Sequence, residues 1–77
     1  MTTAREWVER FAAAAGVAPP SDEETEALLG LAGVAAHASE RTAAPLSTWL
    51  AGRAGLSAAE AKELAARVAA ELDGGSP

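Results

Sequence analysis

SDEETEALLGLAGVAAHASE, residues Ser21–Glu40, decides how this chain folds. Ser21 followed by Glu24 is a capping box, in which the serine hydroxyl accepts from the third helical amide while the glutamate reaches back to the cap. Asp22, Glu23, Glu24 and Glu26 then crowd the end of the helix where the backbone dipole favours negative charge. Beyond them charge disappears from Ala27 to Ser39. One face holds Leu28, Leu31, Ala32 and Ala35, flanked by Leu29 and Ala36; the opposite face carries Gly30, Gly33, His37 and Arg41. A helix poor in charge on both sides belongs at the centre of a bundle, and this one is expected to run to about Glu40.

The flanking segments read as helices that pack around it. Thr3 and Glu6 form a second capping box and Ser57 and Glu60 a third. The first helix is expected over about Ala4–Ala15, ended by Gly16 before Pro19 and Pro20. Its apolar stripe is Ala4, Trp7, Val8, Phe11, Ala12 and Ala15, which assigns Trp7 to the core. Pro45 suits the first turn of a short third helix, where its missing donor costs nothing; Leu46, Trp49 and Leu50 give that helix its apolar side, and Gly52 and Gly55 end it. The fourth helix, Ala58 to about Leu72, turns Ala61, Leu64, Ala65, Val68 and Leu72 inward, with Glu63 and Arg67 spaced as a helical ion pair.

No stretch alternates apolar and polar residues over a useful length. The expected fold is therefore all-α, a compact four-helix bundle with a short third helix and no strands. Residues 1–73 form a single helical domain and 74–77 a frayed tail.

With 77 residues and no cysteine, the fold must rest on packing without disulfides or thiolate-bound metal. So short a chain buries a modest share of its surface, and a second subunit would bury more; a homodimer or a stable protein partner is expected. Eleven Asp and Glu against six Lys and Arg argue against nucleic acid. The uncharged stretch is too short for a membrane span, and the charged, amphipathic N-terminus is no secretory signal, which makes the cytoplasm the expected compartment.

His37, Glu40 and Arg41 stand at i, i+3 and i+4, so a continuous helix would place them on one face. That is the weak candidate for a general base or half of a metal site shared across a dimer. One His and one Glu fall short of the usual three or four ligands, and the simpler assignment is a helix-end histidine touching backbone or the Trp49 ring. No nucleophile has a second histidine to complete a triad, and the glycines of LLGLAGVAA and LAGRAG lie in or at the ends of helices, not between a strand and a helix where phosphate loops form. No enzyme, cofactor or metal is expected. Trp49 fits either core or interface. With Arg41, Pro45 and Arg53 it makes the candidate partner-binding surface, since Trp and Arg are enriched among interface hot spots.

The stretch AHASERTAAPLSTWLAG, with EWVERFAAAAGV at the start and LLGLAGVAAH in the middle, resembles a small bacterial family of unknown function from GC-rich genomes. The absence of Ile, Asn, Gln, Tyr and Cys agrees with such a genome. In that family the domain occurs alone or fused behind a molybdenum-cofactor guanylyltransferase. The resemblance implies a helical accessory module in the making of molybdopterin guanine dinucleotide, with the guanylyltransferase or a molybdoenzyme as partner. It implies no catalytic residues. Thr42 stands where that family often has Pro, leaving either a less rigid corner or a threonine cap for the third helix. A self-associating structural or regulatory protein with no link to the cofactor is the alternative.

Overall fold

The computed structural model describes residues 1–74. Four helices follow one another: α1 (Ala4–Ala15), α2 (Asp22–Ala38), α3 (Ala43–Arg53) and α4 (Ala58–Gly74), with no strand among the described residues.

All three capping boxes are present. Glu6 N donates to Thr3 Oγ1 at 3.1 Å while Thr3 N donates to Glu6 Oε1 at 3.0 Å. At Ser21 and Glu24 the pair of distances is 3.1 and 2.8 Å, and at Ser57 and Glu60 it is the same. Hydrogen bonds from the backbone and hydroxyl of the capping residue hold the Glu6 and Glu60 carboxyls below the ordinary glutamate range, because they stabilise the charged form.

Two helices end on glycine in the left-handed conformation, Gly16 closing α1 at φ 78° and Gly55 following α3 at φ 73°. Each closure is a Schellman motif. Gly16 N donates to Ala13 O and Val17 N to Ala12 O; Gly55 N donates to Gly52 O and Leu56 N to Ala51 O. The returning chain lies over Ala12 in the first case and Ala51 in the second, and both are buried. Gly52, expected to help end α3, lies inside it.

α2 is the centre. It packs against both α4 and α3, while α3 and α4 barely touch. Leu31, Ala51 and Ala61, one from each of these helices, form the buried cluster, with Leu28, Leu56 and Ala65 against it. Gly30 permits a close approach: a Cβ there would meet the Lys62 stem at 2.9 Å, so α4 drapes an aliphatic lysine chain over α2. Gly33 serves no such approach, having nothing within 4 Å of its Cβ position.

α1 stands apart. Its backbone stays clear of the other three helices, and its link to them beyond the chain itself is an exposed ion pair between Arg5 and Asp22 at 3.1 Å. The molecule is accordingly long, 48 × 27 × 18 Å. Trp7 and Phe11 stack on each other, ring centroids 6.4 Å apart, but are 63% and 65% exposed, contrary to the core placement that their stripe suggests. Ala12 of that stripe is buried under its own C-terminal turn, but none of the other three helices packs against Trp7 and Phe11.

Two further expectations change. α2 ends at Ala38, not about Glu40, because Ser39 leaves helical geometry at φ −133°, ψ −103°. α4 runs to Gly74, past the expected Leu72; the remainder of the tail, 75–77, lies outside the described residues. Among the described residues Glu63 and Arg67 form no ion pair, whereas Arg5 and Asp22 do.

Candidate functional site

The corner between α2 and α3 is a tight turn from Ser39 to Thr42. Ala43 N donates to Glu40 O at 2.9 Å and Ala44 N to Arg41 O at 3.1 Å, which satisfies the first amides of α3. Thr42 occupies the cap position but its side chain makes no capping bond. Pro45 sits in the first turn, where no intrahelical partner is lost, and its carbonyl accepts from Thr48 Oγ1 at 2.8 Å.

α3 lies on α2 with its small side chains. Ala44, Ser47, Thr48 and Ala51, at i, i+3, i+4 and i+7, are covered, as is Ala43 at the start of the helix. Leu46 and Leu50, read as part of the apolar side, are 64% and 57% exposed, and Trp49, which fitted either core or interface, is 62% exposed. The small face wins because it lets two helix backbones approach closely, and the large residues are left outside.

That orientation assembles most of the predicted partner surface. Pro45, Trp49 and Arg53 are spaced four apart on one exposed line of α3. The Arg53 guanidinium lies over the Trp49 ring, 5.2 Å from its centroid, a cation–π geometry that favours this arrangement of the two side chains. Arg41 is exposed in the turn just before the helix and belongs to the same corner.

The polar cluster does not form as expected. With α2 ended at Ala38, Glu40 and Arg41 lie outside the helix and lose the i, i+3, i+4 relation to His37. His37 is exposed and instead borders a hollow that it shares with Asp73 of α4. Among the described residues no group of three or more His, Asp or Glu side chains is placed to hold a metal ion.

A second feature escaped the reading of the sequence. Because α3 and α4 both pack on α2 yet barely touch each other, an open apolar groove of about 470 Å³ runs between them. Leu31 and Val34 form its floor, Leu50 one wall, and Leu64, Val68 and Leu72 the other. Among the described residues no charged side chain lines it. Val34, one turn beyond Leu31, and Leu56, directly after the left-handed Gly55, were the signals. The inward face of α4 is also longer than the short α3 can cover.

The sequence match that decides the family spans residues 1–75, nearly the whole chain. This chain belongs to the DUF6457 family. The family is described as a domain of unknown function. No curated protein and no solved structure matches the chain. No helix among the described residues is long and apolar enough to cross a membrane.

Proposed function

We propose that this DUF6457 chain is a non-catalytic, cytoplasmic protein-binding module, an accessory to an enzyme of molybdenum-cofactor maturation that docks on the outer face of α3. The enzyme class comes from the resemblance, through the fusion to guanylyltransferases that it implies. The docking face comes from one observation, the exposed Trp49 ring stacked under Arg53 in line with Pro45. A large aromatic ring already stacked under a cation adds contact area at little entropic cost, and Trp and Arg are both enriched among the residues that dominate interface energies. Arg41 at the neighbouring turn supplies a cation to the rim.

Light scattering on the purified chain, alone and with the guanylyltransferase of the same genome, tests this. A mixed complex is expected. Trp49→Ala weakens it by about 2 kcal/mol, roughly thirtyfold in Kd, and leaves helicity unchanged because the ring covers no core residue. Masses that merely add, with no mixed species, rule the reading out.

A further inference from the structure

Two parts of this molecule lack a counterpart, and they match. α1 carries an exposed apolar stripe, Trp7, Val8 and Phe11, and lies against no other helix. The groove between α3 and α4 is apolar, open and without charge. We propose that the groove receives α1 of a second copy of this chain, and that two copies exchange these helices reciprocally.

Lengths agree. At 1.5 Å per residue, the twelve residues of α1 extend about 18 Å, and the groove wall from Ala61 to Leu72 about 17 Å. Area also agrees. A fully buried aromatic side chain covers ~150–250 Å², so at their present exposure Trp7 and Phe11 offer roughly 200–300 Å². Reciprocal exchange buries that area twice, with a matching area of groove each time, on the order of 1,000 Å² from the four aromatic rings alone. That reaches the size at which specific interfaces begin.

Charge permits the pairing despite a net charge of −5 per chain. α1 balances Arg5 and Arg10 against Glu6 and Glu9, so it carries no net charge for an acidic body to repel. Geometry favours another copy's groove over the chain's own. Arg5 at the start of α1 lies beside Asp22, the first residue of α2, whereas the groove floor begins at Leu31, about 14 Å further along the helix. Gly16 and the Pro19–Pro20 segment carry α1 out from the body.

This pairing leaves the outer face of α3 free and is measured without any enzyme, so it stands or falls separately from the docking reading. Sedimentation equilibrium on the full chain is expected to give twice the 7.7 kDa chain mass. Phe11→Glu, which spoils the inserted helix, and Leu72→Glu, which spoils the exposed end of the groove, each weaken pairing more than a hundredfold while circular dichroism stays native. Val68→Glu repeats the groove test deeper in. The decisive experiment is to mix Phe11→Glu with Leu72→Glu, because one intact α1 then meets one intact groove. The mixture recovers a two-chain species held by a single exchange, weaker than the parent dimer. A wild-type chain that stays at single mass at about 1 mM overturns the proposal, including the case in which Trp7 fluorescence shows α1 folded into its own groove. So does a Phe11→Glu chain that still pairs with itself, or a mixture that fails to pair.

Discussion

α1 and α2 begin with the same reciprocal cap and are neighbours in sequence, yet one lies apart and the other is the most covered helix of the molecule. α1 separates apolar from polar side chains most sharply of the four; α2 does so far less. The contrast is physical. A helix packed by two others, as α2 is by α3 and α4, spreads small and apolar residues around most of its circumference, and even its exposed line of Leu29, Gly33 and His37 carries no acid or lysine. A sharp apolar stripe says that one side requires cover, without saying which molecule provides it.

The largest expected effect lies at the covered end of this comparison. Leu31 is 4% exposed and touches the cluster from all three packed helices. Leu31→Ala removes about 2–5 kcal/mol by transfer and cavity terms, a large part of the stability of any domain this small. Phe11→Ala, measured under dilute conditions where chains are separate, should change unfolding by no more than about 0.5 kcal/mol, as surface substitutions do. Urea unfolding followed by circular dichroism checks both. Equal losses would mean that α1 packs on the bundle in solution.

A smaller effect sharpens the same division. Ser21→Ala and Thr3→Ala remove equivalent caps, each worth about 1 kcal/mol to its own helix. The loss at Ser21 passes into global stability, because α2 holds α3 and α4 together. The loss at Thr3 stays in α1. Amide hydrogen exchange should therefore quicken throughout α2–α4 for Ser21→Ala, and within α1 alone for Thr3→Ala.

What could be read in advance followed the range of the interactions. The caps were legible since a Ser or Thr and a Glu three residues on are a local device, and Gly16 likewise. The end of α2 was missed by two residues because Ser39 turns the chain with no glycine or proline to announce it. The facing of α3 was misjudged for a longer-range reason: Leu46 and Leu50 are large and apolar and Trp49 fitted core or interface, but Ala44, Ser47 and Ala51 are what fit against α2. The same misreading hid the groove, whose wall includes Leu50. For the partner surface, Pro45, Trp49 and Arg53 were legible as residue types, and their alignment required the helix register. His37 with Glu40 and Arg41 depended on helical spacing beyond a point where the helix stops.

The smallest effect concerns acid. Glu6 and Glu60 both have carboxyls lowered by their capping bonds. A carboxyl whose folded value lies below its unfolded one adds stability that is fully present above the ordinary glutamate range and is lost as pH falls through that range towards the folded value. Glu60 opens α4, which packs on α2, so its share should register in global unfolding. Glu6 opens α1, so its share should register as helicity in α1 alone. Glutamine still fills a capping box but does not titrate. Glu60→Gln should therefore leave neutral-pH stability almost unchanged and flatten the acid limb of global stability, whereas Glu6→Gln should leave that limb as it is. If Glu6→Gln flattens it equally, α1 unfolds together with the bundle, and its isolation in a single chain ceases to be a property of the molecule in solution.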